Sequence, residues 1–128
     1  MQPAFRLDCP DELLTPVVVA SPHSGRHYPQ AFLQASILDE AGVRSSEDAF
    51  MDLLVAQAPS LGAPLLAAGY PRAWLDLNRS PDELDPGVID GVARVMQTPR
   101  ISSGLGVIPR VVANGRAIYR GKITRGEA

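Results

Sequence analysis

The apolar run Pro16-Val17-Val18-Val19-Ala20 constrains this chain more than any other feature. Three consecutive β-branched residues lose side-chain freedom in a helix and pack well on a pleated surface, so Val17 to Ser21 reads as a buried strand. The strand runs directly into Ser21-Pro22-His23-Ser24-Gly25-Arg26-His27, a loop that holds both histidines of the chain. Open α/β sheets bind ligands just past the carboxyl ends of their strands. Histidine is the side chain best suited to hold a transition metal or move a proton near neutral pH. The same residue between proline and glycine can also do no more than shape a turn. Both readings of His23 stand at this point.

At 128 residues the chain is the size of one small domain. Its 45% apolar and 20% charged residues are those of an ordinary globular protein, not of a disordered or fibrous one. Twelve prolines and eleven glycines call for many turns. A formal charge of −2 offers no broad basic surface for nucleic acid, and the locally basic stretch from Arg110 to Arg125 reads as a solvated face. The single cysteine, Cys9, has no internal partner for a disulfide, and its acidic neighbours Asp8, Asp11 and Glu12 disfavour a reactive thiolate. With no secretory start and no apolar stretch of membrane-spanning length, the expectation is a cytoplasmic protein that engages neither membrane nor nucleic acid.

Strands and helices alternate along the chain. Pro29 opens a short helical turn through Leu33, and a second helix follows Ser45, with Phe50, Leu53, Leu54 and Ala58 at helical spacing until Pro59 and Gly62 stop it. Pro64 to Ala68 reads as a second strand and Ala73 to Leu77 as a third, joined by Tyr70-Pro71 as antiparallel neighbours. The breaker-rich segment from Ser80 to Gly87 reads as a long loop. Val107 to Val112 and Ala117 to Arg120 flank Asn114-Gly115, the strongest short-range hairpin signal. Residues 121–128 read as an irregular tail of a single domain.

Three constellations could carry chemistry. His23 has candidate acidic partners in Glu47, Asp48 and Asp52, since a catalytic zinc takes histidine and carboxylate ligands and leaves one position to water. Each carboxylate has a plainer explanation as well: Asp48 would suit the first turn of a helix, and Asp52 would be solvated one turn on. His27, four residues after His23, reads as a turn or surface residue. The second constellation is Asp76-Leu77-Asn78-Arg79. An arginine fork and an adjacent amide match a carboxylate, and would otherwise close a local turn. The third, Gly104-Leu105-Gly106, is a weak match to a phosphate loop and reads as a flexible turn.

Taken in order, Ser21-Pro22-His23-Ser24-Gly25, Glu47-Asp48 with Asp52, Leu61-Gly62-Ala63-Pro64, Asp76-Leu77-Asn78-Arg79 with Ser80-Pro81-Asp82, and Gly104-Leu105-Gly106 resemble the N-formylglutamate amidohydrolases. The likeness spans about Val17 to Tyr119. It implies an α/β fold with a mixed sheet flanked by helices, like that of the zinc carboxypeptidases, aspartoacylases and related phosphorylase/hydrolase-like proteins. It also implies hydrolysis of N-formyl-L-glutamate, or a similar N-acyl acidic amino acid, in histidine degradation. By the same resemblance His23 and Asp48 (or else Glu47) become zinc ligands, Asn78 and Arg79 hold the substrate carboxylate, and Asp76 supports them.

Members of that family are about twice as long, and their later half carries a further zinc histidine and a general base. Nothing after Arg79 supplies a histidine here. The expectation is therefore an incomplete domain over 1–128 that binds zinc weakly and has little or no activity alone. It would either be completed by a complementing C-terminal half or by self-association, or act as a non-catalytic binder of small carboxylates.

Overall fold

The computed structural model describes residues 2–93 and 98–128. Its sheet has three strands, β1 (Phe5–Asp8), β2 (Val19–Ser21) and β3 (Leu65–Ala68), in the order β1-β3-β2. β3 is central and pairs antiparallel with β1 and parallel with β2, placing Leu66 opposite both Leu7 and Ala20. Side chains alternate between the two faces of a strand. Leu65 and Ala67 are accordingly buried, with Leu65 joining Ala58, Ala63, Val19 and Val55 in one cluster. The opposite face is apolar and uncovered: Phe5 is 53% exposed, Leu7 52% and Leu66 36%.

Two further clusters lie under the loops. Phe32, Val43, Ala73, Val112 and Ile118 form one, and Val88, Ile89 and Ile108 the other, with Tyr119 packed against both. The helices around them are short. They are α1 (Gln30–Ala35), α2 (Glu40–Arg44), α3 (Met51–Leu54) and α4 (Pro99–Ser102). Asp39 starts α2 by accepting from the Gly42 amide at 2.8 Å, and Thr98 starts α4 by accepting from the Ile101 amide. Among the described residues no helix is long and apolar enough to cross a membrane.

Several sequence expectations change. The strand read over Val17 to Ser21 begins at Val19, and Val17 and Val18 are exposed. β3 falls where Pro64 to Ala68 was read, but its antiparallel partner is β1, which the sequence did not reveal. Ala73 to Leu77 is not a strand. The amides of Trp74 and Leu75 both donate to the Pro71 carbonyl, which curls the chain into a turn. The helix after Ser45 shrinks to α3, because Phe50 takes a left-handed conformation with φ 63° and blocks helix before it. Ser45 instead ends α2. The residues at helical spacing are largely outside the core: Phe50, Leu53 and Leu54 are all exposed, and only Ala58 is buried.

The hairpin is present in short form. Val111 bridges Ala117, and the loop holds Asn114 at φ 60° and Gly115 at φ 68°, the left-handed geometry these two residues tolerate. Residues 121–128 carry no helix or strand, but Ile123 pairs with Ile89 and anchors the segment. Arg110 departs from a solvated face, since it pairs with buried Asp85 at 3.0 Å.

Candidate functional site

The loop after β2 carries His23, and its path is set by close packing on the turn after β3. A Cβ on Gly25 would stand 1.9 Å from the Tyr70 carbonyl oxygen, so only glycine fits there. The His27 amide donates to the Gly69 carbonyl at 3.0 Å, and the Ser21 and Ser24 hydroxyls bond each other at 2.7 Å. His27 itself is exposed, with its ring edge-on to Tyr70, and takes no part in the site.

His23 is buried between two carboxylates. Its Nε2 stands 2.8 Å from Asp76 Oδ1, and its Nδ1 stands 3.3 Å from Asp48 Oδ2. The Asp48 amide also donates to the His23 carbonyl at 3.1 Å, which fixes the two residues side by side. Asp48 lies in a loop before α3 rather than in a first helical turn. Glu47 is engaged elsewhere, accepting from the Tyr28 hydroxyl at 2.9 Å and from Arg44 at 3.3 Å. Burial and that acidic neighbour push the Tyr28 phenol well above its usual range. Of the two candidate carboxylates, Asp48 is therefore the one facing His23.

Asp76 is the hub of the site. It is 1% exposed and accepts from His23, from the Asn78 amide at 2.9 Å and from Arg72 at 3.1 Å, with Arg79 Nη2 at 3.8 Å. Its own amide donates to the Val107 carbonyl at 2.8 Å. Burial alone would raise its pKa, but the His23 and Asn78 hydrogen bonds and the charges of His23 and Arg72 outweigh it and lower the value to about 2. A carboxylate so enclosed serves its neighbours and has no open face for a substrate.

Arg79 and Asn78 diverge. Arg79 Nε donates to the Leu105 carbonyl at 3.1 Å and Nη1 to the Asn78 carbonyl at 2.8 Å, leaving only part of its fork for another acceptor. Asn78 is exposed beside the uncovered sheet face. There it lines a cavity of about 300 Å³ with Phe5, Pro22, Leu66 and Leu77. The Gly104-Leu105-Gly106 turn is packed rather than free: a Cβ on Gly106 would meet the Glu83 carbonyl at 2.6 Å, and the Leu105 carbonyl holds Arg79. Asp52 is buried and not solvated, because Arg26 Nη2 lies 2.8 and 2.7 Å from its two oxygens and ties the histidine loop to α3. The sequence reading missed both arginines, Arg26 and Arg72. Their partners were legible as acids, but the pairing of Arg26 with Asp52 spans 26 positions that no local pattern connects.

A metal fits this arrangement in part. Two ligands of a tetrahedral zinc, each bonded at roughly 2.0–2.2 Å, stand roughly 3.3–3.6 Å apart, and the 3.3 Å between His23 Nδ1 and Asp48 Oδ2 lies at the short end of that range. The bond from His23 Nε2–H to Asp76 leaves Nδ1 as the ring nitrogen that faces Asp48, the arrangement of the carboxylate–histidine pairs that orient metal ligands. Among the described residues no third histidine, cysteine or carboxylate joins them in a metal-holding group.

The mixed α/β fold matches that of a solved amidohydrolase. The chain matches the crystal structure of N-formylglutamate amidohydrolase from Ralstonia eutropha JMP134 with a TM-score of 0.84 and 33% sequence identity, covering 97% of this chain and 44% of that one. A family model for N-formylglutamate amidohydrolase matches residues 15–128, and the chain belongs to that family. No curated protein matches it. It spans less than half the length of the Ralstonia protein. These matches bear on the amidohydrolase family alone.

Proposed function

We propose that this chain supplies one half of a zinc-dependent amidohydrolase site that cleaves N-formyl-L-glutamate or a similar N-acyl acidic amino acid. The observation that carries the reading is His23, fixed by Asp76 on one nitrogen and facing Asp48 with the other at 3.3 Å. His23 Nδ1 and Asp48 would hold the zinc. Bound there, zinc supplies Lewis-acid polarisation of the acyl oxygen and lowers the pKa of water at the site. Asp76 keeps His23 in the tautomer that leaves Nδ1 unprotonated. The remaining N–H groups of Arg79, with Asn78, would orient the carboxylate of the substrate, an arrangement akin to that of the zinc carboxypeptidases.

The third ligand and a general base would come from polypeptide outside residues 1–128. The uncovered apolar face of β1 and β3 supports this, since it lies beside Leu77, Asn78 and Pro22 and is where a further layer of the fold would pack. A second copy of the chain is the other partner that could cover it. With two protein ligands alone, zinc binding is weak and turnover slow.

The test is zinc-dependent release of formate from N-formyl-L-glutamate. It is run with the chain alone, and again with the part of the Ralstonia enzyme that lies outside the matched region added as a separate polypeptide. Activity that rises on mixing and vanishes in His23→Ala supports the reading. Formate release unchanged in His23→Ala, or stoichiometric zinc retained by that variant, overturns it.

A further inference from the structure

Beside the His23 site lies a cavity of about 250 Å³ with two polar elements in its lining, Arg72 and Ser46, and walls that include Ala73, Leu105, Val111 and Val112. We infer that this cavity receives the side chain of the acidic amino acid, its carboxylate on Arg72 and its methylenes against the valine and leucine walls. The inference rests on the hydrolase reading above and adds the place where an acidic side chain is recognised.

Four observations converge. Arg79 is committed to two backbone carbonyls, whereas the one hydrogen bond Arg72 makes among the described residues is to Asp76 Oδ2, so most of its donors remain for a ligand. Two guanidinium groups, Arg72 and Arg79, lie beside the buried carboxylate of Asp76, and no acidic residue lines the cavity. Ser46 Oγ is buried without a hydrogen-bond partner, an uncommon state that a ligand oxygen at the cavity wall can relieve. The cavity also adjoins the reacting centre through bonded neighbours: Ser46 is two residues from Asp48, and Arg72 shares Asp76 with His23. Its volume falls below the range of drug-sized pockets and suits a small metabolite.

The experiment is an amide NMR titration of the 128-residue chain with L-glutamate and, separately, with L-glutamine, which has the same shape without the charge. L-glutamate should shift the amides of Ala73, Leu105 and residues 111–113 in a saturable way. L-glutamine should bind about tenfold more weakly or worse, the loss expected of one charge-assisted hydrogen bond. Val111→Phe, which fills the cavity, should abolish the response, and Ser46→Ala should weaken it several-fold. Equal binding of the two amino acids, an undiminished response in a folded Val111→Phe, or shifts confined to Asn78 and the sheet face would each overturn the proposal. If glutamate leaves these amides unmoved while zinc still perturbs His23, the cavity assignment fails and the hydrolase reading survives.

Discussion

Replacing Asp76 with asparagine keeps the shape of the site and removes the charge on which four groups converge. Two routes give its cost. The fall of the Asp76 pKa from 3.8 to about 2 corresponds to about 2 kcal/mol of stability at neutral pH. Leaving partners of a buried ion pair uncompensated costs about 3–5 kcal/mol, and Arg72 is partly solvated, which favours the lower end. The expected loss is about 2–4 kcal/mol, or a fall in Tm of about 10 °C for a chain of this length. Because the folded-state pKa is depressed, this contribution is full above the unfolded value of 3.8 and disappears as pH falls toward about 2. Urea unfolding of the wild type and Asp76→Asn, followed by circular dichroism, should therefore show a gap at pH 7 that is about halved at pH 3. A gap under about 1 kcal/mol at pH 7, or one that stays constant down to pH 3, would refute the hub role of Asp76.

Other substitutions probe the supports. Gly25→Ala must displace the Tyr70 backbone, so thermal melts should show a loss of about 3 kcal/mol or more, together with weaker zinc binding. Arg26→Met strands the Asp52 carboxylate; as Arg26 is itself substantially exposed, the expected loss is about 1–2 kcal/mol by urea titration. Asn114→Val puts a β-branched residue at φ 60° and should cost about 1–2 kcal/mol, whereas Asn114→Gly should be nearly neutral in the same assay.

What the sequence revealed and what it hid divide along the range of the interactions involved. β3, the His23 loop and the Asn114-Gly115 turn follow from local chemistry: apolar runs, a glycine forced by close approach, and residues that accept positive φ. The order of short motifs also brought His23, Asp48 and Asp76 onto one list, and the structure brings their side chains together. The third strand failed because the amides of Trp74 and Leu75 close onto Pro71 and curl the segment into a turn. The long helix failed because apolar spacing at Phe50, Leu53 and Leu54 presumes a core on that side, and those residues are exposed. Asp52 was misread for the opposite reason, since its burial depends on an arginine from another loop. β1 lay hidden because Phe5 and Leu7 project from an uncovered sheet face, where alternation has no core to serve.

The assignment of His23 as a metal ligand through Nδ1, held by Asp76 through Nε2, is tested most directly by ring-nitrogen NMR of the labelled chain during a zinc titration. The account predicts that the His23 Nδ1 resonance moves on adding zinc while Nε2 keeps its proton, that Asp48→Ala weakens the response, and that His27 is unaffected. Zinc appearing first at His27, binding at His23 Nε2, or a response unchanged by Asp48→Ala would contradict it.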